Sequence, residues 1–253
     1  MHLNRAFRLA LVGLVIAAGL GTALLFPFLS PRARAWSRGT WSRGLLAALG
    51  VRLRLRGAVR GEGAALIVAN HVSWLDVMAI NAIFPDAAFV CKDDVASWPV
   101  FGWLLQRTGT YFIRRRSPHG ARRTVQRMAE DLREGARIAF FPEGTTTAGH
   151  GLLPFHPGLF EAAVQAGCAI QPVAVAFSSG AAVYAGDTSF GESLAAVCGA
   201  SRLCVTLSLS PALSAAGLDR RRLAGEARLR IASCLGHAAV AEPSRREPML
   251  RAA

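Results

Sequence analysis

From Leu9 to Leu29 the chain reads LALVGLVIAAGLGTALLFPFL, 21 residues without a charge. A helix needs about 20 predominantly apolar residues to cross the hydrocarbon core of a bilayer. Arg5 and Arg8 precede this run, and Arg32, Arg34, Arg38 and Arg43 follow it. A cleaved secretory signal is the competing reading, because Ala33-Arg34-Ala35 is similar to a small-residue cleavage site. The apolar run, however, exceeds the roughly 7–15 residues of a signal core, and arginines crowd the supposed cleavage point. The segment is therefore read as an uncleaved N-terminal membrane anchor over residues 1–31, with a helix lying in the interface as the alternative to a span. More arginine follows the anchor than precedes it. The positive-inside rule then puts the rest of the chain on the cytoplasmic side of an inner, cytoplasmic membrane.

The anchor also explains the charge. The 253 residues carry a formal net charge of +13. Residues 1–60 hold ten arginines and no acid, so they account for +10, and the remaining 193 residues carry +3. Beyond residue 60 the charge is nearly balanced, and no strong nucleic-acid footprint remains. Residues 32–50 alternate arginine with Trp36, Trp41, Leu45, Leu46 and Leu49, a mixture suited to the headgroup interface. Five scattered cysteines, Cys91, Cys168, Cys198, Cys204 and Cys234, show no C-x-x-C pair and no metal spacing. They read as buried thiols in a reducing compartment.

After the anchor, apolar periodicity switches repeatedly between two and about 3.6. Val51, Leu53 and Leu55 alternate with arginine as in an edge strand, and further strands are expected at Ala65–Ala69, Thr110–Ile113, Ile138–Phe141, Ile170–Phe177 and Leu203–Leu209. Helices are expected at Ser73–Ile83, Phe101–Gln106, Arg122–Glu134, Leu159–Gln165 and Leu218–Leu235. Alternation of this kind implies an α/β fold with a largely parallel sheet flanked by helices. The domain should run over 51–238, followed by a flexible tail over 239–253. No phosphate-binding G-x-x-x-x-G-K-[ST], zinc-protease H-E-x-x-H or hydrolase G-x-S-x-G occurs, so those chemistries lose their usual signatures.

Three segments end an apolar strand on polar residues: Leu66 to His71, Tyr111 to Arg114, and Ile138 to Glu143. Ligands of open α/β sheets bind outside the carboxyl ends of the strands. If these strands are parallel neighbours, His71, Arg114 and Glu143 converge on one edge. His71 and Asp76 are five residues apart, about 500° around a helix, so they cannot share one helical face. His71 must precede the helix, and Asp76 in its first turn can reach back to the imidazole, fixing its tautomer for general-base work on a hydroxyl. The alternative is a capping box, with Ser73 as N-cap and Asp76 only satisfying backbone donors. Likewise Arg114-Arg115-Arg116 reads as a phosphate site or as a solvated turn, and Pro142-Glu143-Gly144 as a site or as an ordinary turn. Trp98–Leu105 reads as the wall of an acyl-chain groove, as a segment that dips into the membrane, or as core. His119, His150, His156 and His237 have no ligand or triad spacing.

Taken in order, these segments resemble the glycerolipid acyltransferase family typified by 1-acylglycerol-3-phosphate acyltransferases, over roughly residues 50–215. The family's H-x-x-x-x-D is present as His71-Val-Ser-Trp-Leu-Asp76, and its second motif is similar to Gly109-Thr-Tyr-Phe-Ile-Arg114-Arg115. The third, F-P-E-G-T-R-S in many members, appears as Phe141-Pro-Glu143-Gly144-Thr145-Thr146-Thr147, and the fourth as Ile170-Gln-Pro172-Val-Ala-Val175. The resemblance implies that His71 is the base, that Asp76 orients it, and that the acceptor hydroxyl attacks an acyl thioester directly. It further implies that Arg114 and Arg115 pair with the acceptor phosphate, and that Glu143, Gly144 and Thr145 hold the acceptor's glycerol part. Neither metal nor redox cofactor is implied. The donor is an acyl-carrier-protein or coenzyme A thioester, and the acceptor is a membrane lipid.

One departure matters. Thr146 stands where many members have arginine, and threonine cannot neutralise a phosphate. Members with such a substitution include ones resembling lyso-ornithine-lipid acyltransferases, so the acceptor stays open between lysophosphatidic acid and another lysolipid. A non-enzymatic membrane adaptor is the other class, but a lipid binder has no need of His71-x4-Asp76 or Phe-Pro-Glu-Gly on strand ends.

Overall fold

The computed structural model describes residues 5–59, 63–97, 101–113 and 117–236. In chain order these form α1 (Arg5–Leu25), α2 (Pro31–Ala48), β1 (Val51–Arg56), β2 (Ala65–Ala69), α3 (Leu75–Ile83), β3 (Ala88–Lys92), α4 (Phe101–Arg107), β4 (Tyr111–Ile113), α5 (Pro118–Arg133), β5 (Arg137–Phe140), α6 (Phe160–Ala166), β6 (Ala169–Phe177), α7 (Phe190–Gly199), β7 (Leu203–Leu209) and α8 (Arg220–Leu235). The strands make one sheet in the order β1-β7-β6-β2-β5-β3-β4. β6, β2, β5, β3 and β4 run parallel, whereas β7 is antiparallel to β6 and carries β1 parallel to itself. The expected largely parallel α/β sheet is therefore present, with β1 at an edge as its alternating arginines required.

Both faces of the sheet are covered. Ile67 and Ala69 of β2 face a core shared with α1, α2, α3 and α7, while Leu66 and Val68 face one shared with α5, α6 and α8. Leu66, Ile67 and Val68 are all fully buried, each worth roughly 1.5–3 kcal/mol. Burial on both faces is why β2 reads as a continuous apolar run rather than an alternating one.

Local chemistry sets the helix ends. Ser117 caps α5, accepting from Gly120 N–H at 3.1 Å, and Pro118 sits in the first turn. The helix thus starts four residues before the expected Arg122. Strand β3 and helix α7 were absent from the sequence reading; α7 opens on a capping box formed by Ser189 and Glu192.

The N-terminal segments are not separate pieces. Ala6–Phe28 is long and apolar enough to cross a bilayer by length and composition, but α1 folds back antiparallel on α2. Arg8 lies at Gly50, Gly19 lies under Trp41, and the Trp41 indole N–H donates to Val15 O at 2.8 Å. Val12, Leu45, Leu46 and Leu49 belong to the same core as the sheet. The boundary expected at residue 50 is therefore not a packing boundary, and much of 32–50 is core rather than headgroup contact, although Trp36 is exposed. Phe7, Leu14 and Leu25 fall within about 20° of one another around α1, and all three are exposed. They form an apolar stripe that no part of the described chain covers. The expected tail over 239–253 lies outside the described residues.

Candidate active site

The site begins where β2 leaves the sheet. Asn70 is buried, and its amide clasps the backbone of β6: Nδ2 donates to Val175 O at 2.9 Å, and Oδ1 accepts from Val175 N–H at 2.7 Å. This side chain continues the ladder for one residue after the backbone has turned away, and it fixes the departure point of His71.

His71 is then held from several sides. Its N–H donates to Glu143 Oε1 at 2.9 Å, and its carbonyl accepts from the Thr147 N–H at 2.8 Å and the Thr147 hydroxyl at 3.3 Å. Its ring lies flat on Phe141, with centroids 3.9 Å apart and planes 9° from parallel. Its Nδ1 is 2.8 Å from Asp76 Oδ2. An ionised carboxylate only accepts, so Nδ1 carries the proton and Nε2 keeps its lone pair. The imidazole is about one-fifth exposed and Asp76 is fully buried. The ring is thus open to a substrate, while its orienting partner is shielded from water.

The geometry that each of the two readings of Asp76 requires is present. Oδ2 also accepts the N–H groups of Val72 at 2.7 Å and Ser73 at 2.9 Å, so one oxygen closes the entry to α3 and fixes the imidazole of His71. The cap is not the expected box: Trp74 occupies the N-cap position without a side-chain bond, and the Ser73 hydroxyl instead accepts from Leu75 N–H at 3.3 Å.

Glu143, expected at the acceptor's glycerol part, is engaged by the backbone in the structure. It is 3% exposed, and its second oxygen accepts from Leu153 N–H at 2.9 Å. With both oxygens on backbone N–H groups, the carboxylate ties the end of β5 to His71 and to the following loop. Burial pushes its pKa above the ordinary carboxylate value, opposed by the two backbone hydrogen bonds. Gly144 turns the chain at a φ of 71°, its N–H bonded to Phe141 O at 3.1 Å, which requires the left-handed freedom of glycine. Thr145 follows in the same loop and is exposed, and Thr146 is half-buried.

The structure therefore brings His71, Asp76, Glu143, Gly144 and Thr145 to one edge, as the strand-end argument required. β2 and β5 are direct parallel neighbours. β4 ends at the same edge but lies beyond β3; Arg114 and Arg115, which follow it, lie outside the described residues. Sequence reasoning missed Asn70, Thr147 and the stacking role of Phe141. A buried amide needs partners, so an asparagine closing an apolar strand was the available signal. Among the cysteines, Cys168 and Cys198 are buried, Cys91 and Cys204 are intermediate, and Cys234 is exposed, against expectation. Burial raises the Cys91 thiol to about 11, so it is neutral and a poor nucleophile at physiological pH.

A family profile described as Acyltransferase matches residues 51–176. A lyso-ornithine lipid O-acyltransferase of Pseudomonas aeruginosa is 37% identical over 212 residues, covering 81% of each chain. The chain belongs to the acyltransferase family. The matched span begins at β1 and ends in β6, so it contains every side chain that holds His71. This acyltransferase is also 41% identical to a 1-acyl-sn-glycerol-3-phosphate acyltransferase of Neisseria meningitidis serogroup B, over 53% of each chain. Its fold matches the crystal structure of the acyltransferase PlsC from Thermotoga maritima with a TM-score of 0.67, covering 94% of this chain and all of that one at 19% identity.

Proposed function

We propose that this acyltransferase moves a fatty acyl group from an acyl thioester to the free hydroxyl of 1-acyl-sn-glycerol-3-phosphate, giving phosphatidic acid for phospholipid biosynthesis. The observation that carries the reading is the His71–Asp76 pair, oriented through Nδ1 at the carboxyl end of β2. His71 Nε2 takes the acceptor hydroxyl's proton, the oxygen attacks the thioester carbonyl, and the C–S bond breaks. The imidazolium then returns its proton to the departing thiolate, while Asp76 stabilises the charge on the ring between the two transfers. No covalent acyl-enzyme, metal or redox cofactor takes part.

Arg114 and Arg115 pair with the acceptor phosphate, for which the guanidinium fork suits bidentate hydrogen bonding. Gly144 and Thr145 border the acceptor's glycerol part. The donor is an acyl-carrier-protein or coenzyme A thioester. An acidic carrier is drawn in by the arginine surplus, so rates with a carrier-protein donor fall as ionic strength rises. The α1–α2 hairpin holds the enzyme at the cytoplasmic membrane, with the site on the cytoplasmic side.

Thr146 favours a second acceptor. It supplies no positive charge where many relatives carry arginine, and the Pseudomonas aeruginosa relative matched over four-fifths of its length acts, by its name, on lyso-ornithine lipid. An acceptor panel with one acyl donor tests the choice. Faster consumption of lysophosphatidic acid is the expected result, and faster consumption of lyso-ornithine lipid transfers the assignment. Vesicle binding without thioester consumption on any acceptor contradicts both.

A further inference from the structure

We infer that a cleft at the base of α1 binds the phosphate of an anionic membrane lipid, at a site distinct from the acceptor site at His71. The cleft has a volume of about 470 Å³ and is lined by Arg8, Ala47, Gly50, Val51, Arg52, Ser201 and Arg202. Three of these residues are arginine and none is acidic. Arg52, Ser201 and Arg202 are exposed, and no ion pair engages the two arginines among the described residues.

Arg8 makes this more than a basic surface. It is 8% exposed, an unusual state for a guanidinium. Its Nη1 donates to Cys198 O at 3.1 Å and Ala200 O at 2.9 Å at the end of α7, while its buried Nε has no hydrogen-bond partner. Room for the group comes from Gly50, where any Cβ would lie 2.9 Å from the guanidinium carbon and where φ is +73°. The two carbonyl dipoles stabilise the charge without neutralising it, and a phosphate in the cleft would supply the countercharge.

Position selects a lipid as the source of that phosphate. Phe7, the first residue of the exposed stripe on α1, is the immediate neighbour of Arg8. With that stripe in the acyl region, the cleft opens at headgroup depth, where arginine is favoured. The register points the same way. Phe177 of β6 pairs with Val205, and Leu203 of β7 pairs with Val51. β1 and β7 therefore start at the sheet edge where β2 and β5 end. The cleft and His71 share one edge, so a lipid held in the first steadies the membrane against the second.

The inference rests on the membrane placement proposed above and is independent of the acceptor's identity. The test compares full-length wild type, R52Q/R202Q and a charge-matched control, R221Q/R222Q, whose exposed arginines lie on α8 across the sheet. Arg8 is kept because its loss would also release α1 from α7. Partitioning is measured on phosphatidylcholine vesicles with and without phosphatidylglycerol, together with thermal melting of each protein. R52Q/R202Q should melt like wild type, bind phosphatidylcholine equally, and lose on the order of tenfold on phosphatidylglycerol, with the control losing far less. Equal losses in both variants would mean diffuse surface charge and overturn the site. Displacement by inorganic phosphate, beyond that caused by chloride of matched ionic strength, would overturn a lipid source. Failure of wild type to bind any vesicle would overturn the membrane placement itself.

Discussion

The sheet edge around His71 and the α1–α2 hairpin are both interrupted runs of apolar chain, yet different forces hold them. At the edge, polar partners specify each exit from a strand: Asn70 with Val175, Glu143 with His71 and Leu153, Thr147 with His71, and Asp76 with three donors. In the hairpin apolar contacts are joined by side chains that donate to backbone carbonyls, Trp41 to Val15, Arg8 to the end of α7, Arg34 to Leu29 and Pro27, Arg38 to Thr108 and Arg43 to Ala82, and one face of α1 is left bare. Hydrogen bonds are directional and set angles to within a rotamer, whereas apolar burial tolerates sliding. The proposed chemistry therefore sits on the first kind of construction and the proposed membrane contact on the second.

If that contrast holds, damage at the edge is read mainly in rate and damage in the hairpin mainly in stability and membrane binding. The largest effect is expected from Asp76→Asn, which keeps the shape but presents the wrong partner to Nδ1. Steady-state transfer should slow by on the order of 10²–10⁴-fold. Glu143→Ala comes next: loss of the tie to His71 should cut kcat by on the order of 10²-fold with the acceptor KM little changed. A raised KM at normal kcat would instead restore a direct contact with the acceptor.

In the hairpin, Gly19→Ala would place a Cβ 2.2 Å from the Trp41 indole nitrogen. Overpacking of this kind costs about 1–3 kcal/mol, visible as a lower melting temperature, while transfer per folded molecule stays near wild type. The smallest effect belongs to Phe141→Leu, which keeps an apolar wall but removes the ring face beneath the imidazole. Loss of that face from a developing imidazolium should cost roughly fivefold in kcat. Unchanged kinetics would reduce Phe141 to packing.

How much was legible follows the same division. The strand end at Ala69, that at Phe140 to within one residue, the helix before Gly135 and the convergence of His71 with Glu143 could be read because turn chemistry and periodicity are local signals. Helix α7 was missed although Ser189 and Glu192 spell a capping box, since the small residues that follow give only a weak helical pattern. The fold-back of α1 was not legible: 21 uncharged residues look alike whether lipid or α2 covers them, and contacts such as Gly19 with Trp41, Trp41 with Val15 and Arg8 with Gly50 appear only in the structure. Glu143 was assigned to substrate through the family resemblance, and its two backbone partners, His71 and Leu153, come from segments far apart in sequence, so the tie they make was not legible. Asp76 shows the opposite case, in which bonding to the backbone and orienting the imidazole were set against each other although one oxygen does both.

The claim that the edge works as a unit aimed at one proton is tested most directly by a double-mutant cycle. Acyl transfer rates are measured for wild type, His71→Ala, Asp76→Asn and the double variant, each verified as folded. If Asp76 acts through the imidazole, the double variant is no slower than His71→Ala alone, since the carboxylate has nothing left to orient. Losses that multiply, or a His71→Ala enzyme that retains the wild-type rate, would contradict the account.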